Sequence, residues 1–144
     1  MKKLIFIVVG LLAAGVAYWL ISPLFINKKV NEKAIEEPSA RTVSSGKFSG
    51  LAGHNAEGTV SLVSSLGKYY VRFENDFKST NGPDVNVYLG KNGKYEPATR
   101  LGLLKGNIGG QNYEIPVIIN PSDYNEVWIW CRSFSVPFGK AELK

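Results

Sequence analysis

The sequence predicts an all-β module, an antiparallel β-sandwich or barrel-like fold, preceded by one N-terminal transmembrane helix. Three observations carry this reading. The run Leu4–Ile26 holds no charged residue and consists mostly of Leu, Ile, Val, Ala and aromatics. From Gly46 onward, apolar and polar residues alternate over short stretches, the period of a half-buried strand. Clusters of Gly, Pro, Asn and Asp separate those stretches, and no window among them keeps a helical period.

The N-terminal run comes first. As a helix it reaches about 35 Å at about 1.5 Å per residue, enough for a hydrocarbon core of about 30 Å. Lys2 and Lys3 supply a basic start, and Tyr18 and Trp19 are amphipathic aromatics suited to a membrane interface. Pro23 can end or kink the helix near its far side. A cleaved secretory signal is the rival reading, because Gly15-Val16-Ala17 offers a small-x-small cleavage site. The apolar run continues through Trp19, Leu20 and Phe25, which favours an uncleaved signal anchor over residues 1–27, with residues 4–26 in the lipid bilayer. Lys2 and Lys3 on one side nearly balance Lys28, Lys29 and Lys33 on the other. A very short N-terminal flank is simplest to keep in the cytoplasm, so the C-terminal domain is expected to be extracytoplasmic.

The net charge of +5 divides unevenly. Residues 1–45 carry six Lys/Arg against three Glu, giving +3, and residues 46–144 carry eleven against nine, giving +2. Basicity beside an anchor suits lipid headgroups. No Arg/Lys stripe with interleaved aromatics appears, so no nucleic-acid partner is expected.

Residues 28–45 read as a polar linker, charged and short of aromatics, with Pro38 in its middle. The β-domain then runs over residues 46–144, large enough to bury a core without disulfides. In Thr59–Val63, Val60 and Leu62 share a face. In Lys68–Glu74, Tyr69, Val71 and Phe73 share one face, and Tyr70 and Arg72 the other. Asp84–Leu89 brings Val85, Val87 and Leu89 together. The strand Tyr124–Cys131 differs: Val127, Ile129 and Cys131 share one face, and Trp128 and Trp130 the other with Arg132. A strand apolar on both faces is expected to be central and covered on both sides.

The chemistry-bearing residues are few. His54 is the only histidine and Cys131 the only cysteine. They form the one available Cys-His pair; otherwise His54 bonds within its glycine-flanked loop. There is no Gly-x-Ser-x-Gly elbow. One His and one Cys fall short of a zinc set, and Glu57, Asp76, Asp84 and Glu114 show no metal spacing. Asp84, in Asn-Gly-Pro-Asp, reads as a turn carboxylate bonding to backbone. Gly102–Gly110 is glycine-rich, but no helix follows it, so it reads as irregular loop rather than a phosphate cradle. Cys131 itself can be read three ways. It can be a buried small hydrophobe. It can be a reactive thiol aided by the Arg132 cation. It can be a soft axial ligand to haem iron, with Trp128, Trp130 and Phe134 walling the cofactor, although no second ligand is evident except His54, so the cofactor stays unknown.

Residues 46–143 carry an ordered set of elements. They are Gly46-Lys-Phe48, His54-Asn-Ala-Glu-Gly58, Asp76-Phe77, Gly82-Pro-Asp84 with the following Val-x-Val-Tyr-Leu, and Leu101-Gly-Leu-Leu-Lys105. Gln111-x-Tyr113-x-Ile115-Pro116 follows, then Val127-Trp-Ile-Trp-Cys131, Phe134-Ser-Val136, Phe138-Gly139 and Ala141. In this order and spacing the chain resembles the DM-thirteen domain family, described as an electron-transfer domain. The resemblance implies a compact all-β module with a redox role, in which Cys131 acts as a bare thiol or prosthetic-group ligand. It also implies a separate redox protein as partner, since one span lacks the paired histidines of a membrane cytochrome. The alternative is a non-catalytic surface module that binds a protein or glycan through exposed aromatics such as Tyr70, Tyr88 and Tyr95. Burial of Cys131 away from any cleft favours that alternative, and a cleft joining it to His54 favours the redox thiol.

Overall fold

The computed structural model of the chain describes residues 2–36 and 39–144. Helix α1 spans Lys2–Phe25, and its 24 residues are long and apolar enough to cross a membrane. Its described apolar side chains, Leu4, Phe6, Leu11 and Trp19 among them, stand exposed. The helix continues through Pro23 instead of ending there. Proline cannot donate to the carbonyl four residues back, which is that of Trp19. Ser22 Oγ donates to the Trp19 carbonyl at 3.4 Å and supplies a substitute.

Eleven strands follow among the described residues: β1 (Arg41–Gly50), β2 (Ala56–Glu57), β3 (Thr59–Ser65), β4 (Lys68–Phe73), β5 (Lys78–Ser79) and β6 (Val85–Lys91). Then come β7 (Lys94–Tyr95), β8 (Gly102–Leu103), β9 (Gln111–Ile115), β10 (Glu126–Cys131) and β11 (Val136–Glu142). The strand pairs are antiparallel. The main sheet runs β7-β6-β10-β11-β1-β3-β4-β9, with β8 on β6, and β2 pairs β5 separately. Strand β1 makes the corner: Arg41–Lys47 pair with β3, and Phe48–Gly50 pair with β11. One strand that changes partner along its length curls the sheet into a half-barrel. The all-β antiparallel class read from the sequence is the class observed.

Turn chemistry sets the hairpins. Leu66-Gly67 joins β3 to β4, and Asn92-Gly93 joins β6 to β7, each pair with positive φ at both residues. The core lies inside the curl. Val60, Val71, Phe73, Phe77, Val87, Val127, Ile129 and Cys131 are all sealed from solvent within it. The alternation of β3, β4, β6 and β10 delivers these side chains, except Phe77, which comes from the turn before β5.

Two parts of the segment read as a linker carry order of their own. Arg41–Ser45 already belong to β1. Residues 27–33 form an extended strap on the loop 105–112. Val30 N–H donates to Ile108 O at 2.8 Å, and Glu32 N–H donates to Gly110 O at 2.9 Å. A Cβ on Gly106 or Gly109 would collide with the backbone of Lys28 or Val30. The glycines read as irregular loop are therefore where the strap's main chain approaches closely.

Arg72 shows the consequence. It points to the outer face of β4 as expected, yet it is 3% exposed. Its guanidinium donates to Glu32 O at 2.8 Å, to Lys33 O at 3.3 Å and to Asn112 Oδ1 at 3.2 Å. The strap thus roofs a cation that would otherwise face water.

Candidate functional site

Strand β10 positions the residues singled out in the sequence. It lies between β6 and β11, so its backbone is paired on both sides. Cys131 is its last residue, opposite Val85 on β6 and Val136 on β11. The thiol is 0% exposed and packs in the core with Val127 and Ile129. Its sulfur makes no hydrogen bond among the described residues, and it lines neither of the clefts described below.

The other candidates do not converge on it. Arg132 turns to Asp84: its Nε donates to Asp84 Oδ2 at 3.0 Å, and Ser133 Oγ donates to the same oxygen at 2.9 Å. Asp84 Oδ1 accepts from Asn86 Nδ2 at 3.0 Å. The Asp84 carboxylate, expected from the sequence to bond to backbone, takes these side chains as its partners instead. Burial alone would raise its carboxyl; the bonds from Asn86, Ser133 and Arg132 outweigh that and hold it below the usual carboxylate range. His54 is half-buried and lies flat on Phe138, centroids 3.8 Å apart. No hydrogen bond joins it to Cys131 among the described residues. Phe134 sits 68% exposed in the β10–β11 turn.

Trp128 and Trp130 project on the face opposite Cys131, as strand alternation requires. There they join an aromatic plate. Trp128 stands directly across from Tyr88. Tyr95 stacks on Trp130 at 4.2 Å and meets Tyr88 edge-on at 5.1 Å. These packed rings correct one expectation. Tyr88 is buried, and Tyr70 and Tyr95 are half-buried, because neighbouring strands and rings cover them. A haem held by Cys131 does not fit this packing, since the thiol is sealed from solvent, lines neither described cleft, and the tryptophans face away.

The plate ends in a buried carboxylate that the sequence reading did not single out. Glu126 Oε2 accepts from Trp128 Nε1 at 2.9 Å, and Oε1 accepts from Lys140 Nζ and Gly93 N–H, both at 3.0 Å. Burial pushes the Glu126 carboxyl up, and these three donors more than reverse it, so it lies below its ordinary value. Lys140 Nζ also lies over the Trp128 ring, 5.3 Å from its centre. The available signal was the i, i+2 spacing of Glu126, Trp128 and Trp130 on one strand face. Among the described residues, no group of three His, Cys, Asp or Glu side chains could hold a metal ion.

A second feature lies at the foot of α1. Asn27 Oδ1 accepts from Asn81 Nδ2 at 3.1 Å and from Asn107 Nδ2 at 2.9 Å. Asn107 Oδ1 accepts from Lys28 N–H at 2.7 Å. Clefts of about 470 Å³ and 600 Å³ flank this junction, both with Asn27 and Asn81 in their walls.

Comparison with known proteins bears on both features. No curated protein and no solved structure matches the chain. The family described as Electron transfer DM13 matches residues 47–143, which is 97 of the 144 residues and nearly the whole β-domain. With that extent matched, the chain belongs to the Electron transfer DM13 family.

Proposed function

We propose that the chain is a single-pass membrane protein that displays its DM13 domain outside the cytoplasm. There it serves electron transfer as an accessory docking module, and a separate redox protein carries the cofactor. The observation that carries this reading is the sealing of Cys131. A thiol at 0% exposure that lines neither described cleft meets neither oxidant nor metal while the strand stays closed. It behaves as a small core hydrophobe. The length and apolarity of α1 support the anchor. The cations Lys2 and Lys3 directly before the apolar run support a cytoplasmic start. The aromatic plate supports docking, with Tyr95 and Trp130 half-buried over the buried Tyr88 and Trp128, flanked by Lys140–Glu126 and Arg132–Asp84.

Absorption spectra of the purified chain with and without added haem test this, together with thiol titration of the folded protein. The reading expects no Soret shift on haem addition and no fast thiol. A Soret shift in the wild type that Cys131→Ala abolishes would refute it. Alkylation of cysteines placed in the exposed β10–β11 turn of whole cells tests the topology.

A second reading keeps Cys131 as the redox thiol or ligand, and the family description favours it. Cys131 ends β10, and the exposed turn Arg132–Ser135 follows at once, so opening that end would reach the sulfur. Arg132 would have to leave Asp84 to stabilise a thiolate, and His54 would have to leave Phe138 to assist. Under this reading Cys131→Ala loses electron transfer to a partner while the fold stays intact.

A further inference from the structure

The anchor is not joined to the domain by a free tether. The strap fixes the foot of α1 against Asn81 and against Asn107 and Ile108 of the loop 105–112, through Asn27, Lys28 and Val30. The 470 Å³ cleft opens at that junction, where the chain leaves the apolar helix. Ile26, Pro83 and Leu103 give it an apolar side, and Asn81 and Asn107 give it a polar side. Ile26 is 56% exposed and Leu103 is 55% exposed, which is unfavourable against water and favourable against lipid. Among the described residues, Lys28 is the one charged residue in its walls, and no carboxylate lines it. The Lys28 ammonium has no ion-pair partner among the described residues. Asn81 spends one amide N–H on Asn27, and a primary amide carries two.

We propose that this cleft is a phospholipid site. It takes the headgroup and first acyl carbons of an anionic glycerophospholipid from the leaflet in which α1 ends. Lys28 and the second Asn81 N–H meet the phosphodiester, and Ile26, Pro83 and Leu103 meet the glycerol-proximal carbons. The cleft is continuous with the membrane-spanning helix, which makes the bilayer's own lipid the occupant at hand. The site would fix the domain's tilt on the membrane, and with it the direction in which the aromatic plate faces. This rests on the membrane reading above.

The test is native mass spectrometry of the full chain released from nanodiscs of phosphatidylcholine with a minority of phosphatidylglycerol. The wild type is expected to retain one phosphatidylglycerol. Each charge step near an anionic surface changes affinity about fivefold, so Lys28→Gln should weaken retention about fivefold and Lys28→Glu about 25-fold. Leu103→Ser should weaken it as well. Lys94→Glu, an exposed cation on edge strand β7 that does not line the cleft, should leave it unchanged. The Lys28 main-chain bond to Asn107 survives its side-chain changes, and a melting curve of each variant checks that the fold does too. A wild type that enters the disc but retains no phosphatidylglycerol overturns the proposal, as does equal retention by Lys28→Glu. Full displacement by soluble glycerol phosphate also overturns it, because the site would then be a soluble-phosphate site. A chain that never enters the disc overturns the membrane reading itself.

Discussion

Replacing Cys131 by Ser exchanges a soft, weakly polar sulfur for a hydroxyl that must hydrogen-bond. The position is 0% exposed, faces Val85 and Val136 across the sheet, and offers the present sulfur no hydrogen-bond partner among the described residues. A hydroxyl buried without a partner costs about 1–3 kcal/mol. Cys131→Ala removes one heavy atom and leaves a small void, at about 1 kcal/mol. In a domain of this size 1 kcal/mol lowers the melting temperature by about 4–8 °C. The expected order of stability is therefore wild type, then Ala, then Ser, with Ser lower by about 10 °C. Thermal unfolding of the full chain in detergent, followed by tryptophan fluorescence, reads this directly. A Ser variant as stable as the wild type, with Ala less stable, would refute the reasoning. It would mean that the sulfur lies among polar groups and serves something other than packing.

Other predictions address the strap, the turns and acid stability. Arg72→Met strips the donor from the carbonyls of Glu32 and Lys33 and should cost about 2–3 kcal/mol. Hydrogen exchange at the Val30 and Glu32 amides should accelerate before that of β10, and unchanged exchange would mean the strap is held otherwise. Leu66 occupies a left-handed turn position at φ 48° with its side chain 70% exposed, so Leu66→Asn should stabilise by about 1 kcal/mol in a urea titration. Glu32, Asp76, Asp84 and Glu126 all hold carboxyls below their ordinary values, because hydrogen bonds outweigh burial. Depressed folded values mean that their stabilisation is present above the unfolded carboxylate range and lost as pH falls through the folded values. The melting temperature should stay level down to about pH 5 and fall below about pH 4. Glu126→Gln should flatten that fall, and an unchanged acid profile would remove Glu126 from this set.

Much of this molecule is written in local pattern. The alternation in Val60/Leu62, Val71/Phe73 and Val85/Val87/Leu89 specifies both strand and core face, because period two allows only one side to be buried. The two-faced apolar pattern of β10 likewise marks a strand paired on both edges. Cys131 could be placed at its end for the same reason. What the sequence hid is non-local. The strap has no apolar period, because hydrogen bonds to residues about eighty positions away hold it, along with one buried guanidinium. The glycines at 106 and 109 look like loop until the strap's backbone is laid on them. Arg132 adjoins Cys131 in sequence, but Asp84 is across the sheet and takes it. His54 likewise finds Phe138, a partner far along the chain. Burial of Tyr88 depends on Trp128 and Tyr95, which only the register brings together.

The claim on which the functional reading stands is that Cys131 is closed to chemistry in the native fold. The rate of its alkylation by iodoacetamide, measured across a series of urea concentrations, tests that claim most directly. Cys131 is the only thiol, so a single rate reports a single site. A sealed core thiol reacts only through opening, so the rate should track the unfolding free energy and be slow in the absence of urea. Fast, stoichiometric labelling of the fully folded chain, independent of urea, would contradict the account and restore Cys131 as the seat of the redox chemistry.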